Sequence, residues 1–102
     1  MATHYLRLRE VCVQLGVDDS LLREVCDEGL VEIHPTPDHD DEISVDDAER
    51  LRLIIVLMRE MDVNLAGAEV ILHMRDDLRA MQRQFDEILH GLVEELRRRL
   101  PR

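Results

Sequence analysis

NLAGAEVILHMRDDLRAMQRQFDEILHGLVEELRRRL, residues 64–100, decides the fold. Ile71, Met74, Leu78, Met81, Phe85, Ile88 and Leu92 alternate steps of three and four, the spacing of a coiled-coil seam on one helix face. Beyond Phe85 a second set, Leu89, Val93, Leu96 and Leu100, shifts the phase. Asn64 supplies an N-cap and Pro101 a stop, so a single long helix is predicted between them. At 1.5 Å per residue such a helix runs roughly 54 Å, too far for a domain this small to cover its whole stripe. A second subunit is the expected cover, and the seven seam residues are the expected dimerisation set. The alternative is a kink near Gly91 that folds the last turns back, since glycine permits a kink without requiring one.

Upstream, Ser44 followed three residues later by Asp47 has the spacing of a capping box, with Asp in place of the usual Glu, and opens a helix to about Met61. Its buried face is Leu51, Ile54, Ile55, Leu57 and Met58. Residues 30–33 alternate apolar and polar, and Pro35, Thr36, Pro37 and the acids from Asp38 to Glu42 then forbid regular structure until Ile43. That pattern fits a short hairpin with an irregular tip. Earlier still, apolar positions 6, 8, 11, 12, 13 and 15 give a short helix stopped by Gly16. Asp18 or Asp19 caps a second helix to about Glu28, with Leu21, Leu22, Val25 and Cys26 on its buried face and Gly29 at its end. Two short helices joined by a Gly-containing turn have the size of a helix-turn-helix unit.

A chain of 102 residues fits one domain, which divides into residues 1–43, 44–63 and 64–102. Apolar residues make up 45 %, but Tyr5 and Phe85 are the whole aromatic complement, so the core is Leu, Val, Ile and Met, which suits packed helices. The net charge of −10 is unevenly spread. Residues 1–49 hold fourteen acids against Arg7, Arg9 and Arg23, a net of −11, whereas residues 50–102 hold ten arginines against nine acids. Phosphate binding needs basic side chains, so the acidic half is the wrong half to lay on a duplex, and a basic partner is expected. No stretch reaches the apolar length of a membrane span and the N-terminus lacks a signal-peptide core, so a cytoplasmic location is expected. Cys12 and Cys26 fall on apolar helix faces and read as small hydrophobes, not as a disulfide or a metal pair.

The order helix, turn, helix, wing, helix, long helix resembles the MerR-like superfamily. Leu6-Arg7-Leu8-Arg9-Glu10-Val11, Leu15-Gly16-Val17, Leu22-Arg23 and Glu28-Gly29-Leu30-Val31 look like the opening of such domains, and Ser44-Val45-Asp46-Asp47-Ala48-Glu49-Arg50-Leu51 is similar to the start of their third helix. The resemblance spans roughly residues 5 to 90. It implies an all-α fold: a helix-turn-helix with a vestigial wing, a third helix and a long C-terminal dimerisation helix.

Two departures bear on function. DNA binders of this superfamily usually carry an Arg and a Tyr in the wing, and an aromatic in the second helix just before the Gly-Leu. Here Cys26 and Asp27 precede Gly29-Leu30, and residues 34–42 are largely anionic with neither Arg nor Tyr. The segment from Leu57 to Leu72, with Asn64-Leu65 and Gly67 at its centre, is similar both to the heat-shock repressor branch and to the CbpM-like chaperone modulators. Length, acidity and the stripped wing favour the modulators. That likeness implies a regulator that binds the J-domain of a DnaJ/CbpA-type co-chaperone and restrains its action on an Hsp70-type chaperone. The expected contact residues are Asp19, Glu24, Asp27 and Glu28 on the second helix. A heat-shock repressor that binds DNA is the alternative.

Other polar clusters carry no chemistry at this level. His34, Asp38, His39, Asp40, Asp41 and Glu42 match no metal-ligand spacing and read as a solvated loop. His73 and His90 have no Ser or Cys nearby to activate, and no phosphate loop or nucleophile motif occurs. No enzymatic activity, cofactor or metal is expected.

Overall fold

The computed structural model describes residues 4–100. Pro101, the predicted helix stop, lies outside the described residues. The chain divides into two compact units, Met1–Glu69 and Val70–Arg102.

The first unit is not purely helical. It opens on a strand, β1 (Tyr5–Arg7), where the apolar pattern predicts the first turn of a helix. Helix α1 (Leu8–Leu15) and helix α2 (Asp19–Asp27) follow, then strands β2 (Ile33–His34) and β3 (Glu42–Ser44), helix α3 (Val45–Glu60) and the start of α4 (Leu65–Arg99). The strands form an antiparallel sheet in the order β1-β3-β2, with Leu6 and Ile33 both opposite Ile43. The all-α reading is corrected to a mostly helical fold with this small sheet. The cause is non-local: the backbone of residues 5–7 pairs with a strand 37 residues further on, and the Leu8 N–H donates to the Asp41 carbonyl at 2.9 Å.

Caps account for the helix limits. Asp18 accepts from the Leu21 N–H at 2.8 Å, which fixes the start of α2 one residue after it. Gly29 takes a left-handed φ of 72° just beyond α2, where a side chain would be strained. Ser44 Oγ accepts from the Asp47 N–H at 3.1 Å and starts α3. The capping box is only half made, because the Asp47 carboxylate does not reach back to the Ser44 N–H. It accepts from the Glu32 N–H at 3.0 Å and so ties α3 to the segment that enters β2. Arg50 Nε adds a second tie on the same side, donating to the Leu30 carbonyl at 2.9 Å.

The core of this unit is the aliphatic set read from the sequence. Val25, Ile43, Leu51 and Ile54 are fully buried, and Leu8, Val11, Val17, Leu30, Val31, Ile55 and Leu57 nearly so, while Met58 is half-buried. A fully buried aliphatic side chain contributes about 1.5–3 kcal/mol, so these positions hold the unit together. The sheet and both short helices are anchored through them.

Asn64 Oδ1 accepts from the Gly67 N–H at 2.8 Å and caps α4. A Cβ at position 67 would lie 2.8 Å from Val63 Cγ1, so the close approach there requires glycine. In the second unit α4 is continuous through Gly91 to Arg99, so the fold-back alternative is not what the chain adopts. Glu95 pairs with Arg98 and Arg99 at 2.8 Å each, and three arginines in the last turn complement the negative end of the helix.

Candidate functional site

Two surfaces carry the residues singled out by sequence. On α2 and its C-cap, Asp19, Glu24, Asp27 and Glu28 are all exposed, while Val25 is buried. They do not form one cluster. At 3.6 residues per turn Glu24 lies about 140° around the helix from Asp19, about 60° from Asp27 and about 40° from Glu28. Arg23 projects between Asp19 and Asp27. Glu24, Asp27 and Glu28 therefore share an outer face, and Asp19 belongs to a different neighbourhood at the start of the helix.

That neighbourhood is a cleft of about 520 Å³ between α1, the α1–α2 turn and the segment 39–41. Buried Leu8 and half-buried Cys12 and Leu22 give it an apolar floor, and the exposed Val13 also lines it. Asp18 and Asp19 stand on one rim and Asp40 and Asp41 on the other. The second rim is held in shape by its own turn. Thr36 Oγ1 donates to the Asp40 carbonyl at 2.8 Å, the His39 N–H donates to the Thr36 carbonyl at 3.1 Å, and His39 takes a φ of 60°. Arg7 Nε lies 3.3 Å from Asp40 Oδ2, which fastens this rim to β1. Sequence alone missed the cleft because its two rims are some twenty residues apart; Asp19 is the one expected contact residue it contains.

The thiols are free and half-buried, less buried than a core hydrophobe would be. Burial pushes the Cys12 thiol above its ordinary value, with Asp19 and Cys26 adding to the shift. Burial likewise raises Cys26, helped by Asp27 and Asp47. Both stay protonated at neutral pH, the opposite of what a nucleophile or soft-metal ligand needs. Among the described residues no three His, Cys, Asp or Glu side chains come together in a way that could hold a metal ion. The His34 ring instead packs edge-on against Tyr5, with centroids 5.0 Å apart. His73 and His90 are exposed on α4.

The second surface is the stripe on α4. Met74, Leu78, Met81, Phe85, Ile88 and Leu92 are each more than half exposed, and Ile71 is 37 % exposed. The shifted set, Leu89, Val93, Leu96 and Leu100, is exposed as well. A contiguous apolar face of this length is far beyond scattered surface hydrophobes.

A helix-turn-helix, a sheet-bound hairpin and two further helices in this order agree with a family whose model matches the chain: MerR HTH family regulatory protein, over residues 6–90. The chain belongs to the MerR HTH family. No curated protein and no solved structure matches it significantly. Among the described residues of this MerR family regulator no helix is long and apolar enough to cross a membrane. The charged side chains of α2 and of the β2–β3 connection are carboxylates apart from Arg23 and His39.

Proposed function

We propose that this MerR family chain is a non-enzymatic, protein-binding regulator that docks on the J-domain of a DnaJ/CbpA-type co-chaperone and restrains its action on an Hsp70-type chaperone. The observation that carries this reading is the exposed acidic surface of α2 and the 38–41 tip, where Arg23 is the only basic residue on the helix. A J-domain offers a basic helix to its chaperone, and an acidic competitor for that helix gains in both encounter rate and specificity. The protein acts as a homodimer in this proposal, with Ile71, Met74, Leu78, Met81, Phe85, Ile88 and Leu92 packed against the same residues of a second copy.

A second reading compatible with the family match is a DNA-binding repressor of the heat-shock type. Two titrations decide between them. Calorimetry with an isolated J-domain of a DnaJ/CbpA-type co-chaperone is expected to show saturable binding that weakens with salt. Fluorescence anisotropy with random and promoter duplexes is expected to show none at physiological salt. Micromolar duplex affinity with a steep salt dependence, and no heat with the J-domain, would reverse the assignment.

A further inference from the structure

We infer that the cleft between α1, the α1–α2 turn and residues 39–41 is the docking site for an amphipathic basic helix of a protein partner. The inference rests on the reading of the chain as a protein-binding regulator and assigns that role a specific place. The floor is apolar, with Leu8 nearly buried and Cys12 and Leu22 half-buried, and Val13 beside it is an apolar side chain left 75 % exposed. Four carboxylates border it against Arg9 and His39. Asp18 is committed to capping α2 and Asp40 to Arg7, while Asp19 and Asp41 form no ion pair among the described residues.

That combination selects the occupant. A purely apolar segment would strip water from the rim carboxylates without replacing it, and a phosphate or acidic segment would be repelled. An occupant with an apolar stripe and flanking Lys or Arg satisfies both parts, because the aliphatic stems lie along the floor while the cationic heads reach the rims. A helix fits better than an extended strand. The floor consists of side chains from two helices, whose backbone groups are already bonded, so an extended segment would find no ladder to join. Leu8 and Cys12, four residues apart, share one face of α1, with Val13 about 100° further round, and a second helix laid along the Leu8–Cys12 line presents anchors at i, i+3 and i+4.

The test uses the full chain labelled with 15N and two probes, a synthetic Lys/Leu amphipathic helical peptide and the isolated J-domain. The peptide is expected to shift the amides of residues 8–16, 18–22 and 39–41 saturably. Val13→Arg and the pair Asp19→Arg with Asp41→Arg are expected to weaken that binding roughly tenfold or more. Val13 and Asp19 are exposed and Asp41 is half-buried, and circular dichroism checks that each variant folds. The pair Asp46→Arg with Glu49→Arg, which puts the same charge change as the double cleft variant on exposed positions of α3, is expected to alter affinity by less than about threefold, because screened rim charges act weakly at a distance. Peptide shifts confined to residues 71–92 or to Glu24, Asp27 and Glu28, or equal weakening by the Asp46→Arg, Glu49→Arg pair, would overturn the cleft assignment. A J-domain that binds wild type and Val13→Arg equally would also overturn it while leaving the chaperone reading intact. A peptide that occupies the cleft beside a J-domain that does not bind would sink the chaperone reading and leave the cleft standing.

Discussion

The Arg59 guanidinium on α3 donates to the Leu15 carbonyl at 2.7 Å, closing the C-terminus of α1 from a helix that begins thirty residues later. The same group donates to the Gly16 carbonyl, and Gly16 holds a left-handed φ of 66°. The turn between the two short helices is thus fixed from outside by a planar, two-armed donor. Arg59→Ala is expected to lower stability by about 1–2 kcal/mol, the value of hydrogen bonds to a charged group discounted for their exposure. For a chain near this length that is a fall of about 4–8 °C per kcal/mol in thermal midpoint, measured at fixed protein concentration. Arg59→Lys should recover less than half, since one ammonium cannot serve both carbonyls equally. Wild-type melting of Arg59→Ala would show that the turn holds itself.

Such ties explain which parts of the molecule are legible in sequence. Asp18, Ser44 and Asn64 are readable as caps because each acts on an N–H three residues away. Strand β1 is not, because Leu6, Leu8 and Val11 fit a helical stripe, and only Ile43, far along the chain, makes residues 5–7 a strand. Asp47 illustrates the same limit at a single side chain. Local spacing points it at Ser44, and the fold offers it the Glu32 N–H instead. Nearness in sequence groups the α2 acids, yet five residues of helix separate Asp19 from Glu24 by well over a quarter turn. The cleft is illegible for a related reason, since neither rim has meaning until the 39–41 turn is folded against β1.

The thiols give a prediction with a definite sign. Burial and neighbouring carboxylates disfavour the thiolates of Cys12 and Cys26, so at neutral pH iodoacetamide should modify both more slowly than a free cysteine. Their rates should keep climbing with pH beyond the point where a free thiol levels off. By linkage the folded state keeps protons that the unfolded chain releases, so these thiols lower stability as pH rises through the free-thiol range. Mass spectrometry of the Cys12→Ser and Cys26→Ser variants assigns the rates. A thiol faster than glutathione at neutral pH would contradict the burial argument.

The α4 stripe predicts oligomeric state. Leu78→Asp with Phe85→Asp would place unpaired carboxylates in the proposed seam, at a cost of several kcal/mol, so the variant should sediment as a monomer where the wild type sediments as a dimer. Both side chains are exposed in the single chain, so the fold of residues 4–69 should survive and circular dichroism should lose little helix outside α4. A wild type that sediments as a folded monomer at micromolar concentration would leave the stripe for another partner.

The acids of α2 separate encounter from lodging. Reversing Asp19, Glu24, Asp27 and Glu28 together to Arg removes most of the negative field of this face without touching a buried residue, so the variant should remain helical. Against an isolated J-domain its affinity should fall steeply, and the salt dependence of the remainder should flatten, because rim charges act chiefly through steering. The four positions should not contribute alike. Glu24, Asp27 and Glu28 share the outer face, away from the cleft, and reversing those three should slow association while leaving dissociation nearly unchanged. Asp19 borders the apolar floor beside Cys12 and Val13, so its reversal alone should speed dissociation, as expected of a carboxylate that holds the partner once it has lodged. Stopped-flow rates at two ionic strengths distinguish the two effects. If the triple reversal speeds dissociation and Asp19→Arg does not, the partner lies on the outer face of α2 and the cleft is a bystander.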